Sequence, residues 1–260
     1  MESGVLKLGC WNVNSLKVRL DQVLAWLESA KVDVIALQET KLIDENFPVE
    51  VFIEKGFHVA FSGQKTYNGV AIISRYPISE IQKDIPELND PERRIIAATI
   101  EGIRLINLYV PNGMSLSSDK YAYKLMWLEK VISFTKAQLN DYDKVAVLGD
   151  FNIAPEDIDV HEPSIWQDGV LVSDKERKAF FEFLSLGLKD SFRTLEKDTQ
   201  KFSWWDYRAA SFRRGRGLRI DHILLNDALI NLCSGADIDI EPRRDERPSD
   251  HAPIWVSLDI

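Results

Sequence analysis

The sequence predicts an α/β fold in one domain, with β-sheets packed together and helices outside. Three observations carry this. Nine short apolar runs bounded by polar or turn residues read as strands: "VLKLGCWNV", "VDVIALQE", "FHVAFSG", "GVAIISR", "RIIAATI", "IRLINLYV", "KVAVLGDFN", "LRIDHILL" and "APIWVSL". Helical patterns lie between some of them. No Pro/Gly/Ser linker, low-complexity tract or solenoid-length repeat divides the chain, so its 260 residues are expected to form a single domain over 1–260.

Each element has a local reason. After the first strand, Leu16 to Ala30 sets Leu20, Val23, Leu24 and Leu27 on one stripe at helical spacing. The fifth and sixth runs meet at "IEGIR", Ile100 to Arg104, whose Glu-Gly turn predicts a hairpin. A second helix is expected from about Asp119 to Leu139, and a third from Asp174 to Leu186, ahead of Gly187.

Composition is that of an ordinary globular protein, with 45% hydrophobic and 28% charged residues. Cys10 and Cys233 lie far apart and form no CxxC or Cys/His cluster, which argues against a redox centre or zinc site and for a reducing cytoplasm. Neither a basic leader with an apolar core nor a run of about 20 apolar residues is present, so neither export nor membrane insertion is expected. The formal charge of −9 argues against a phosphate-rich partner. Its distribution argues the other way: Lys201, Arg208, Arg213, Arg214, Arg216 and Arg219 stand against one acid, Asp206, in a segment able to lean on phosphates.

Oxygen-bearing residues fall at the strand ends. Asn12 ends the first run, Glu39 the second, Asp150 and Asn152 end "VAVLGDFN", Asp221 opens "DHILL", and Asp250 and His251 precede "APIWVSL". Each alone has an ordinary reading: a turn for Asp150 and Asn152, an ion pair with Arg219 for Asp221, a core histidine for His251. His58, His161 and His222 are read as structural. If the strand ends converge on one rim, several carboxylates face each other and cannot all stay ionised without a cation. Oxygen ligands with no thiolate nearby favour Mg²⁺ or Mn²⁺ over zinc.

In order along the chain, "WNVNSL", "LQETK", "GQK", "RRII", "NLYVPNG", "LGDFNIAPEDIDV", "FSWWDYR", "GLRIDHILL" and "RPSDHAPIW" resemble the exonuclease III and AP endonuclease family of DNA-repair nucleases, a branch of the DNase I-like metal phosphoesterases. The resemblance runs from about Leu6 to the C-terminus. It implies a four-layer α/β sandwich in which two mixed β-sheets pack face to face with helices outside. By the same resemblance Glu39 is the principal metal ligand, Asn12 helps to place it, and Asp250 stands near the same ion or a second one. Asp150, with Asn152 beside it, orients or deprotonates the attacking water and belongs to the metal set. His251, held by Asp221, contacts the scissile phosphate, and Tyr109 adds a phenolic hydrogen bond. Trp204, Leu218 and Ile220 match positions lining a pocket for an extruded abasic sugar. The loop carrying Arg208, Arg213, Arg214 and Arg216 faces DNA.

The function so implied is a Mg²⁺-dependent, monomeric, cytoplasmic nuclease acting on double-stranded DNA with abasic sites, nicks or recessed 3′ ends, associated with the nucleoid through that DNA. Its activities would be incision 5′ to an abasic site, 3′ to 5′ exonuclease, and 3′ end trimming as a phosphatase or phosphodiesterase. The region "VHEPSIWQDGVLVSD" lies beside the abasic pocket in relatives, and any of His161, Trp166, Gln167 and Asp168 could fill that pocket and leave only terminal nucleotides admitted. A superfamily phosphoesterase for inositol phosphates, lipids or RNA is a second reading, and a catalytically dead DNA-binding relative a third.

Overall fold

The computed structural model describes residues 4–260. Twelve strands follow one another among these residues: β1 (Val5–Asn12), β2 (Val34–Gln38), β3 (His58–Ser62), β4 (Val70–Ser74), β5 (Ser79–Lys83), β6 (Ile95–Ile100), β7 (Ile103–Tyr109), β8 (Val145–Asp150), β9 (Leu188–Asp190), β10 (Asp221–Asn226), β11 (Cys233–Ile238) and β12 (Ile254–Asp259). The helices that matter for the site are α1 (Leu16–Ser29), α2 (Val49–Glu54), α3 (Asp119–Asp141), α4 (Pro163–Trp166), α5 (Asp174–Ser185) and α6 (Ser191–Leu195). All nine predicted runs are strands and the three predicted helices are α1, α3 and α5. Strands β5, β9 and β11 were not expected. None of the helices is long and apolar enough to cross a membrane.

The strands form two six-stranded sheets, in the orders β11-β12-β1-β2-β4-β3 and β5-β6-β7-β8-β10-β9. Each sheet is mixed, and each has one parallel pair at its centre, β1 with β2 and β7 with β8. A parallel pair needs a crossover, and α1 and α3 supply the two. Every other pairing is antiparallel. The hairpin between β6 and β7 closes at Ile100 opposite Ile103, as the Glu-Gly turn predicts.

Side-chain alternation sorts the core into layers. Leu6, Leu8 and Cys10 of β1 and Ala146 and Leu148 of β8 point between the sheets, into one apolar cluster with Val34, Ile72, Ile96, Leu105, Ile223 and Val256. Trp11 of β1 faces the other way and packs with Val23, Trp26 and Leu27 of α1 and Phe52 of α2. Val145 and Val147 of β8 meet Trp127, Leu128 and Val131 of α3 and Phe180 and Phe183 of α5. The result is the four-layer α/β sandwich, helix on sheet on sheet on helix. Central strands buried on both faces explain the near-continuous apolar runs in the sequence.

One polar residue joins the sheets inside this apolar layer. Asn107 of β7, fully buried, donates from Nδ2 to the carbonyls of Leu37 (3.0 Å) and Ala71 (2.9 Å) in the opposite sheet. Its Oδ1 accepts from Gln38 Nε2 at 2.7 Å. Gly149 sits close by and admits no side chain, because a Cβ there would stand 1.9 Å from the Leu108 carbonyl oxygen. Replacing Asn107 with Ala removes the shortest contact of the buried Gln38 amide, which keeps only the Ala36 carbonyl (3.3 Å) and Cys10 Sγ, and takes one donor from each of two carbonyls. Each such loss costs about 1 kcal/mol, so urea unfolding should register a loss of roughly 3 kcal/mol; a change below about 1 kcal/mol would refute the cross-sheet role.

Candidate active site

The two central parallel pairs run their carboxyl ends to the same rim. Asn12 ends β1, Glu39 follows β2, Tyr109 ends β7 and Asp150 ends β8. Register then places neighbours side by side, since Tyr109 lies opposite Asp150 in the β7–β8 pair and Asp221 lies opposite Asp150 in the β10–β8 pair. His251 arrives from the other sheet, just before β12, through a single bridge to Trp204. The convergence expected of the strand ends is therefore present, and it straddles the gap between the sheets.

Hydrogen bonds tie the group together. His251 Nδ1 stands 2.8 Å from Asp221 Oδ2, and its Nε2 is 3.7 Å from Asp150 Oδ2. Asn12 donates from Nδ2 to Glu39 Oε1 and to Asp150 Oδ2, both at 2.9 Å. Asn152 donates its backbone N–H to Asp150 Oδ1 at 2.9 Å and its side-chain amide to Asp150 Oδ2 at 3.2 Å. Ser203 gives its hydroxyl proton to Asp221 Oδ2 at 2.6 Å and accepts the N–H groups of Ile220 and Asp221. Asp221 is thus paired with His251. The ion pair with Arg219 allowed by the sequence does not form, because Arg219 is buried between Asp159 (2.7 Å) and Asp190 (2.8 Å).

Several of these residues hold left-handed backbone: Asn14 (φ 44°), Glu39 (φ 53°), Lys41 (φ 55°) and Asn152 (φ 48°). Asn tolerates this conformation, whereas Glu39 and Lys41 do so at some cost in strain. The turn brings Glu39 back toward Asn12 directly after β2.

Electrostatics follow from burial. Asp150 is pushed up to about 7, chiefly by loss of water and further by the Asp221 carboxylate, against the pull of His251. For His251, burial alone would lower the value, but Asp221 and then Asp150 outweigh it and push the imidazole up to about 10. Burial, with the charges of Glu39 and Asp150, holds the Tyr109 phenol well above its ordinary range, so it remains a donor.

Ligating atoms of Glu39, Asp150 and His251 lie within 4.8 Å of one another, the one group among the described residues able to hold a metal ion. The His251 Nδ1 is already bonded to Asp221, and the Glu39 and Asp150 oxygens form a hard donor set suited to a divalent cation such as Mg²⁺ or Mn²⁺. The three other residues expected as ligands make the following contacts. Asn12 Oδ1 accepts from the Asn14 N–H (3.0 Å) and Asn152 Oδ1 from Asn112 Nδ2 (3.2 Å), so both amides meet the carboxylates as donors. Asp250 lies outside the cluster, its oxygens taken by Asn14 Nδ2 and Trp204 Nε1, each at 3.0 Å.

Sequence reasoning passed over Asn14, Lys41, Asn112, Ser203 and Lys124. The first four sit inside motifs already singled out, "WNVNSL", "LQETK", "YVPNG" and "FSWWDYR". Lys41 bridges Glu39 Oε2 (3.0 Å) and Asn14 Oδ1 (2.5 Å). Of the six basic residues between Lys201 and Arg219, Arg219 is buried, Lys201 pairs with Asp237 and Arg208 with Asp206. Arg213, Arg214 and Arg216 are exposed and make no ion pair among the described residues. Trp204 is half-buried, and Leu218 and Ile220 are wholly enclosed in an apolar cluster with Val160, Leu171 and Val172. His222 is structural as expected, bonded to the Ile153 carbonyl at 2.9 Å.

Residues 9–251 match the Endonuclease/Exonuclease/phosphatase family, and the chain belongs to it. An exodeoxyribonuclease III from Haemophilus influenzae is 36% identical over 97% of this chain and 100% of its own length. Among solved structures, a 3′ phosphatase, NExo, from Neisseria bound to product DNA hairpin is 43% identical with a TM-score of 0.97, covering 98% of this chain and 100% of that one. An AP endonuclease from Archaeoglobus fulgidus is 38% identical with a TM-score of 0.95 at the same coverage. These relatives bear out the resemblance to exonuclease III and the AP endonucleases.

A cation entering beside Glu39 must displace the proton that Asp150 carries below about pH 7. Protons and cation then compete, so affinity should climb as pH rises to about 7 and level off above it. Titration calorimetry with Mn²⁺ near pH 6, in two buffers of different ionisation enthalpy, should report release of about one proton. No release under those conditions would count against Asp150 as a ligand.

Proposed function

We propose that this chain is a Mg²⁺-dependent DNA-repair nuclease that hydrolyses phosphodiester bonds in double-stranded DNA, acts mainly at 3′ ends, and works as a monomer. The observation that carries the reading is the rim itself: two buried carboxylates flank one imidazole, with Glu39 alongside. Phosphodiester cleavage needs an activated water, charge on the non-bridging oxygens neutralised, and a stabilised leaving oxygen. A divalent cation held by Glu39 and Asp150 supplies charge neutralisation when bound.

The chain's own groups do the rest. Asp150, held by Asn12 and Asn152 and 3.7 Å from His251 Nε2, orients the attacking water and accepts its proton. Asp221 takes the Nδ1 proton of His251 as a hydrogen bond, which leaves Nε2–H to meet a phosphate oxygen. The Tyr109 hydroxyl and the second amide proton of Asn112 complete the donors around that phosphate. Arg213, Arg214 and Arg216 contact the DNA backbone, which gives a net acidic chain a local phosphate grip. An inositol phosphate or lipid phosphatase would have no use for that loop.

Preference for 3′ ends comes from the loop of α4. Trp166 sets its ring edge-on to Trp204 at 6.4 Å, and His161 packs edge-on to Trp166 at 6.4 Å. Trp166 also joins the cluster that encloses Leu218 and Ile220. Of the candidates in that loop, Trp166 is the one packed against Trp204 and the Leu218 and Ile220 cluster, which supports the reading that it fills the room an extruded abasic sugar would need; terminal nucleotides and 3′ phosphates are then admitted and internal abasic sites disfavoured.

The function is tested on one gel carrying an internal abasic analogue, a recessed 3′ end, a 3′ phosphate and a nick, with Mg²⁺ and with chelator. Cleavage should require the ion, favour the 3′ substrates and fall about 10²- to 10⁴-fold in Asp150→Asn; an undiminished rate in that variant removes the assignment. Trp166→Ala should raise abasic incision relative to 3′ trimming roughly tenfold by opening the pocket. An unchanged ratio means that Trp166 does not set the preference.

A further inference from the structure

Helix α3 buries an apolar stripe against the second sheet, with Trp127, Leu128 and Val131 at helical spacing, and Lys124 lies on that stripe. A lysine there is fully buried. Such an ammonium persists only when all its protons are used, and here each has an acceptor. Lys124 Nζ donates to the Asn152 carbonyl at 2.6 Å, to the Asn112 carbonyl at 3.2 Å, and to Glu176 Oε1.

The two carbonyls belong to the loops that leave β7 and β8, directly after Tyr109 and Asp150. Glu176, also fully buried, is anchored in turn: it accepts the N–H of Leu171 at 3.0 Å and both the N–H (3.1 Å) and hydroxyl (2.6 Å) of Ser173. The charge pair is thus wedged between α3, the start of α5 and the underside of the catalytic rim. From the rim side, Asn152 holds both oxygens of Asp150, and Asn112 Nδ2 bonds Asn152 Oδ1 at 3.2 Å. Lys124 therefore fixes from below the left-handed residue that fixes Asp150 from above.

We infer that Lys124 is a positioning residue for the hydrolytic step: its ammonium clamps the Asn112 and Asn152 carbonyls and so sets the orientation of the Asp150 carboxylate without touching substrate. The inference rests on the proposed role of Asp150. A purely structural ion pair would need Lys124 and Glu176 equally, and its loss would lower stability while leaving the chemistry of the folded fraction intact. A positioning ammonium needs its carbonyl contacts more than its counter-charge.

The test uses single-turnover cleavage of a 3′-recessed duplex by saturating full-length enzyme with Mg²⁺, alongside thermal melts and KM. Wild type and Asp150→Asn are run first, since full activity in the latter overturns the catalytic reading and not this one alone. Glu176→Gln keeps the ammonium over both carbonyls and should melt lower while its single-turnover rate changes less than about threefold. Lys124→Met combined with Glu176→Gln removes the clamp without burying a lone charge. It should lose about tenfold or more in single-turnover rate, with KM within about threefold of wild type, as expected for a misplaced catalytic group. If that double variant does not fold, Lys124→Gln, which retains a neutral donor, gives the reading and should lose more than about threefold in single-turnover rate against wild type. A folded variant lacking Lys124 that cleaves at the wild-type rate, with Asp150→Asn inactive, overturns the inference.

Discussion

Two carboxylates brought side by side out of water, with an imidazole between them, impose the constraint on which the rest of the molecule depends. Asp150 and Asp221 are neighbours in register on adjacent strands and each is 1% exposed. Left to themselves they would repel, and one would hold a proton permanently. The protonated His251 from the opposite sheet relieves that repulsion, and Asn12, also from the opposite sheet, ties Asp150 to Glu39. Neither sheet can assemble the site alone. The face-to-face packing of the sheets, and the Asn107 bridge near the same rim, are therefore functional requirements as much as structural ones.

The corresponding strand orders of the two sheets explain where the polar residues fall. Each sheet contributes two residues from the ends of its central parallel pair, and one from an antiparallel strand or loop beside it, Asp221 in one sheet and His251 in the other. Loops after parallel strands leave the sheet at one edge, which is why short turns suffice to gather these side chains. The left-handed backbone at Glu39 and Asn152 is the local means, reversing the chain within a residue or two of the strand end.

That arrangement also decides what could be read from the sequence. Central strands bury both faces, and all of them announced themselves as apolar runs. The three unforeseen strands, β5, β9 and β11, lie at sheet edges, where hydrogen bonding on one side and solvent on the other weaken the pattern; β5 carries no buried residue at all. Edge strand β3 was visible because Ala60 and Ser62 still alternate inward. Site residues were legible where a charged or amide group ends an apolar run, as with Glu39, Asp150 and Asp221. The direction in which an amide points was not: the Asn12 and Asn152 Nδ2 groups both donate to carboxylates of the rim. The basic run concealed a similar distinction: Arg219 belongs to the buried Asp159 and Asp190 network, while Arg213, Arg214 and Arg216 are exposed.

The buried Arg219 network clarifies why such charge is placed behind the rim. Arg219 immediately precedes Ile220 and Asp221, and its guanidinium is held by Asp159, from the loop leading to the α4 segment, and Asp190, at the end of β9. Arg193 of α6 adds a second contact to Asp159 at 2.7 Å. One cation thus locks together the strand that presents Asp221, the loop that carries Trp166, and the edge of the second sheet. Replacing such a network by apolar residues can leave stability unchanged, but it would remove the directional contacts that tie the loop of α4 to β10. Lys124 and Glu176 do the same on the other side of Asp150. The buried carboxylates of the rim are thus flanked by two buried cations, Arg219 and Lys124, each held by several directional contacts to the elements that meet there.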